Sequence, residues 1–142
     1  MKFVSLLGKY LKDPEVVSFL RAREIEVTYA FDEEDDEYDF YWATAKQKGF
    51  EIRFNDQQIL DTVFCHIVAN KGFEPINQDM IGVPVYPTLE EGLKAGKEGV
   101  EHALSGSGDV RKVVGIAYAD HMVHYEYMNG SIFTVTLSHA PR

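Results

Sequence analysis

Cys65 and His66 are adjacent, and a thiol beside an imidazole is a pairing that nucleophilic catalysis uses. In a strand, consecutive side chains point to opposite faces, so these two do not pair with each other and Cys65 reads as a small buried hydrophobe. His121 and His124 are three residues apart, again on opposite sides of a strand, and His102 and His139 have no partner at a metal-binding spacing. The run Asp32-Glu33-Glu34-Asp35-Asp36-Glu37 offers oxygen ligands in plenty. An ordered calcium loop, however, needs alternating ligands and a glycine at the turn, and this run has no glycine. Paired carboxylates for glycoside hydrolysis need one acid desolvated relative to the other, which adjacent acids on a loop lack. No phosphate-cradling glycine loop, serine nucleophile elbow or zinc pattern occurs. The sequence predicts a protein that is not an enzyme and that uses no metal and no cofactor.

What the sequence offers instead is charge. Residues 24 to 39 hold Glu24, Glu26, Asp32, Glu33, Glu34, Asp35, Asp36, Glu37 and Asp39 with no Lys or Arg. Removing these nine from the 23 acids leaves 14, matched by the 14 Lys and Arg, so the net charge of −9 belongs to this one segment. Ionised carboxylates lose hydration on burial, so the block must face water or a partner. Tyr29, Phe31, Tyr38, Phe40, Tyr41 and Trp42 bracket the acids, whereas purely solvating acidic tracts are poor in aromatics. Rings as anchors and charges for steering suit a protein-binding surface, and the sign disfavours nucleic acid as a partner. Phe40 and Trp42 share one side of a strand there and Tyr41 takes the other, so only one set can be exposed.

The elements that position these groups follow from periodicity and turn chemistry. A chain of 142 residues, 45% hydrophobic, with one cysteine, is read as a single domain over residues 1–142 with an unstapled core. The lone thiol and the charge that follows Met1–Gly8, where a signal peptide would continue apolar, predict a cytoplasmic protein with no membrane segment. Asp13-Pro14 opens a helix to about Arg23, with Asp13 as N-cap and Pro14 at the first helical position. Strands follow at 40–44, 50–54 and 59–68, then a turn-rich connection from Lys71 to Pro87. Thr88 caps a second helix, whose continuation towards Leu104 is opposed by Gly96 and Gly99. Strands at 110–117, 121–127 and 131–138 complete the pattern, the last two joined at Asn129-Gly130. One offset of 73 carries Pro14 onto Pro87, Ile52 onto Tyr125 and Ile59 onto Ile132, which predicts a tandem pseudo-repeat with halves of about 1–70 and 71–142. The predicted fold class is α+β, a mainly antiparallel sheet of about six strands with helices on one face. Alternation also leaves one sheet face wet, with Glu51, Arg53, His124 and Glu126 upon it, as a second binding surface.

The acidic aromatic block at 24–39, together with Leu6-Leu7-Gly8-Lys9 and Asp13-Pro14-Glu15-Val16-Val17, resembles the immunity proteins of bacterial toxin systems, including contact-dependent inhibition. The tandem layout is similar to that of the β-lactamase inhibitor protein, another stoichiometric enzyme blocker. The resemblance implies a cognate toxin domain as partner, a basic nuclease whose phosphate-binding cleft an acidic surface occludes. It places partner contacts at Asp32, Glu33, Glu34, Asp35, Asp36, Glu37 and Asp39, with Tyr38 and Tyr41 as anchors. The alternative, from another class, is a small-ligand-binding or regulatory module using the sheet face or the 72–87 connection, with the acids serving solubility.

Overall fold

The computed structural model describes residues 2–31, 39–103 and 109–140. Helices α1 (Phe3–Leu6) and α2 (Pro14–Ala22) precede strands β1 (Val27–Phe31), β2 (Asp39–Ala45), β3 (Phe50–Phe54) and β4 (Leu60–His66). Helix α3 (Leu89–Ala95) precedes β5 (Lys97–Ala103), β6 (Val110–Ala117), β7 (His121–Met128) and β8 (Ser131–His139). The strands form one antiparallel sheet in the order β1-β2-β3-β4-β8-β7-β6-β5. The fold is therefore α+β, but with eight strands where about six were expected, and four rather than three in each half. The two unforeseen strands, β1 and β5, are the sheet's two edges. Edge strands use charge and glycine to discourage further pairing, and those residues blur the apolar alternation that marks a strand.

Alternation assigns the faces. Phe50, Ile52 and Phe54 are buried, as are Val123, Tyr125 and Tyr127 on β7, while the residues between them are half-buried on the opposite side. Phe50 meets Phe3 and Phe19, their ring centroids 4.7 and 6.2 Å away, so α1 and α2 pack on the buried face. Tyr127 on that same face lies against Gly92 of α3. The connection between halves supplies further cover: Ile76 and Ile81 are buried, and the Tyr125 and Tyr127 hydroxyls donate to the carbonyls of Pro84 and Tyr86 at 2.8 and 2.9 Å. A buried phenol needs such an acceptor, and two backbone carbonyls of the connection provide it.

Helix ends follow from local chemistry. Asp13 holds the N-cap position of α2 in an extended conformation, but its carboxylate accepts from the Tyr10 amide at 2.8 Å and does not cap the helix itself. Thr88 does cap, its hydroxyl accepting from the Glu91 amide at 3.3 Å. The second helix stops at Ala95 and does not run towards Leu104. Gly96 there crosses β6 so closely that a β-carbon would lie 2.7 Å from the Gly115 carbonyl oxygen, and the chain turns extended into β5.

The repeat is also corrected in detail. The offset of 73 superposes β3 on β7, including a β-bulge after Arg53 and another after Glu126. Beyond the hairpin the offset becomes 72: Leu60 lies opposite Phe54 as Ile132 lies opposite Tyr127, so Leu60, not Ile59, corresponds to Ile132. The second hairpin is one residue shorter, and only that change lets Val135 and Leu137 face inward as Val63 and Cys65 do.

A β-carbon on Gly92 would collide with the Tyr127 hydroxyl and ring. Gly92→Ala should destabilise the protein by about 1–3 kcal/mol in chemical denaturation, overpacking outweighing the roughly 1 kcal/mol gain in helix propensity. Adding Tyr127→Phe should return part of that loss. A stabilised Gly92→Ala would show that α3 does not press on β7.

Candidate functional site

The described helix contacts of Phe3, Phe19 and Gly92 are all on the first face of the sheet, while the second face meets the start of the connection, where Phe73 stacks on His66. Cross-strand register sets its side chains in lateral rows. One row runs Trp42, Arg53, Thr62, Ser138 and Met122, and the next runs Glu51, Phe64, Thr136 and His124. The two β-bulges each turn one extra side chain towards this face, Asp61 in the first half and Phe133 in the second. Arg53 is fixed by a bidentate pair with Asp61 at 2.9 and 3.2 Å, by Thr62 at 3.2 Å, and by the Phe40 ring 4.5 Å from its guanidinium. Bidentate geometry makes this a stiff feature of the surface and not a freely moving charge.

At the seam where β4 meets β8 the face deepens into a cleft of about 600 Å³. Trp42, Glu51, Phe64 and His66 come from the first half, Arg111, Glu126, Phe133 and Thr134 from the second, and Asn70, Lys71 and Phe73 from the start of the connection. Trp42 stacks on Phe64 with centroids 6.1 Å apart at 24°, and His66 stacks on Phe73 at 4.1 Å and 15°. Arg111 pairs with Glu126 at 2.8 Å, and the same carboxylate oxygen accepts from Thr134 at 3.4 Å. Glu51 accepts from the Thr44 hydroxyl at 2.5 Å. The His66 Nδ1 and Arg111 Nε atoms are buried without a hydrogen-bond partner. Desolvation holds the His66 imidazole below its ordinary pKa; Lys71 acts in the same direction, and Glu51 and Glu126 oppose it. The ring is therefore neutral at pH 7.

The residues singled out in the sequence separate. Asp32, Glu33, Glu34, Asp35, Asp36, Glu37 and Tyr38 lie outside the described residues. Asp39 opens β2 opposite Phe31, half-buried, with one carboxylate oxygen shielded and unpartnered. Tyr41, expected as an anchor, is half-buried: its ring lies 5.0 Å from that of Tyr29 at a tilt of 52° and packs against the core, while Trp42 takes the open face. Cys65 is fully buried, which raises its thiol pKa well above the ordinary range, and His66 points away from it. His121 stands opposite His139, a juxtaposition that sequence spacing did not bring out, and accompanies Asp120 at 2.6 Å, a hydrogen bond that lowers the Asp120 carboxyl pKa. Among the described residues no three His, Cys, Asp or Glu side chains are grouped to hold a metal, and no helix is long and apolar enough to cross a membrane. The cleft was missed because its walls come from strands distant in sequence; only the wet-face residues Glu51 and Glu126 were visible in the alternation. No family model, curated protein or solved structure matches the chain.

A histidine whose folded pKa is depressed binds fewer protons than the unfolded chain as pH falls below about 6.5, so its contribution opposes folding in acid. The loss of melting temperature from pH 7 to pH 5 should be smaller in His66→Gln than in the parent protein. An equal or greater loss would mean that His66 is not held neutral.

Proposed function

We propose that this chain is an immunity-type inhibitor: it forms a stoichiometric complex with a basic toxin domain of nuclease type and blocks it by occlusion, without a chemical step of its own. The observation that supports this most is the second sheet face. It combines half-buried rings at Trp42 and Phe64, methionines at Met122 and Met128, and the fixed ion pairs Arg53–Asp61 and Arg111–Glu126. Aromatic, Met and Arg side chains are the types enriched where proteins meet, and prepositioned charges cost little further ordering on binding. The net charge of −9 and the acids at 32–39 favour a basic partner and fast, salt-sensitive encounter. A single cysteine, buried as a thiol, fits a reducing cytoplasm. The docking surface is then wider than the acidic segment: the sheet face supplies anchors and the 32–39 acids supply steering and phosphate mimicry.

A second reading, a small-ligand-binding module, is favoured by one feature, the seam cleft, whose volume suits a small molecule. The two readings separate in a binding experiment. The bait is this chain, the probe the C-terminal domain of whatever protein the neighbouring upstream gene encodes, measured calorimetrically at low and high salt. Expected are one-to-one binding that weakens with salt, and losses of about 2 kcal/mol or more, roughly thirtyfold in Kd, for Trp42→Ala or Phe64→Ala. Charge reversal of four acids within 32–39 should slow association. No complex at either salt concentration would sink the inhibitor reading, and thermal stabilisation by a small molecule alone would favour the second.

A further inference from the structure

We infer that the seam cleft is a receptor for a guanidinium or ammonium group, carried in the inhibitor reading by an arginine or lysine of the toxin domain. Only the identity of the bearer rests on that reading.

Two carboxylates, one from each half of the chain, address the same small volume. Glu51 enters from β3 and Glu126 from β7, on either side of the central β4–β8 pair, and both act electrostatically on the single imidazole of His66 between them. Among the described residues Glu51 is engaged by a neutral donor, the Thr44 hydroxyl at 2.5 Å, so its charge is not cancelled by an ion pair. Glu126 already shares its Oε2 atom between Arg111 and Thr134. An arriving anion would meet the charge of Glu51, and the Arg111 donor that Glu126 leaves unpartnered, Nε, is buried. An arriving cation has to displace nothing.

The remaining lining points the same way. The Trp42 and Phe64 rings offer negative π faces, against which a planar guanidinium stacks while its edge donates to carboxylates. Met128 and Phe133 give the aliphatic stem of a long basic side chain an apolar bed. His66, neutral at pH 7, does not repel the guest. The cations at the cleft are Arg111, committed to Glu126, and Lys71 on the connection after β4. Only Lys71 opposes a cationic guest.

Trp42 is the chain's single tryptophan and lines the cleft, so its fluorescence reports occupancy directly. The experiment titrates the full chain at pH 8 and constant ionic strength with Nα-acetyl-arginine amide, and in parallel with the citrulline analogue, which has the same shape without the charge. Expected is a saturable change for the arginine compound in the millimolar range, at least tenfold weaker for the citrulline compound and for Glu51→Gln. Glu126→Gln, with melting temperature as a folding check, provides a second variant. No saturable response up to about 100 mM, an equal response to citrulline, or an unchanged response in both variants would overturn the proposal. Toxin binding that survives Glu51→Gln while the arginine response is lost overturns only the arginine's bearer. Failure of toxin binding with the arginine response intact overturns the inhibitor reading and supports the cation site.

Discussion

The antiparallel pairing of β4 with β8 is the contact on which the rest of the structure depends. Each half of the chain is a four-stranded meander preceded by helix, and each would end in an exposed strand edge rich in Val, Phe and Leu. Joining the two last strands, from Thr62 opposite Ser138 to His66 opposite Thr134, removes both edges at once and leaves only β1 and β5 unpaired on one side. The same ladder carries Phe50, Cys65, Val135 and Tyr125 across the sheet in one lateral row, so the two halves share a single core. Because the seam is central, the cleft on the opposite face draws its walls from both halves.

Covering one face and leaving the other open is a division of labour written into side-chain type. On the helix side, even the polar atoms are spoken for: Tyr125 and Tyr127 reach the carbonyls of Pro84 and Tyr86, which ties the irregular connection to the sheet and explains why neither position is phenylalanine. On the open side, polar groups pair laterally with one another, Arg53 with Asp61 and Arg111 with Glu126, so that the apolar rings between them stay in place without a covering helix.

How legible this was depended on the physical signal each element leaves. Strands β3 and β7 alternate strictly, and the Asn129-Gly130 turn, both residues at positive φ, marks its hairpin plainly. Edge strands leave no such mark: Val27–Phe31 sits inside an acidic block whose charge dominated its apolar alternation, and Lys97–Ala103, which follows Gly96 and contains Gly99, passes for a failing helix. Bulges leave none at all. Asp61 and Phe133 reach the open face only because one extra residue is accommodated in each strand, and composition does not announce that. The cleft takes Phe133 from one bulge and depends on a pairing between strands some 70 residues apart, so single-segment patterns could find its charged residues but not their meeting. Trp42 and Tyr41 illustrate the limit: alternation required that they part, and only tertiary packing decided which one faced outward.

The two halves correspond in strand register but not in chemistry, which makes the open face asymmetric. Corresponding positions differ in chemistry: Arg53 matches Glu126, Glu51 matches His124, Asp61 matches Phe133, and Phe64 matches Thr136. In the first half the bulge residue is a carboxylate and neutralises the arginine beside it; in the second it is a phenyl ring, and the glutamate at the arginine's place recruits Arg111 from β6 instead. A face with matching halves would present the same features twice about the seam, and would suit a partner that is itself two-fold or two copies of one partner. Here the aromatic pair Trp42–Phe64 lies on one side of the seam only, and the methionines Met122 and Met128 on the other. A partner docked on such a face would be held in one orientation, which is what the proposed one-to-one complex with an asymmetric partner requires.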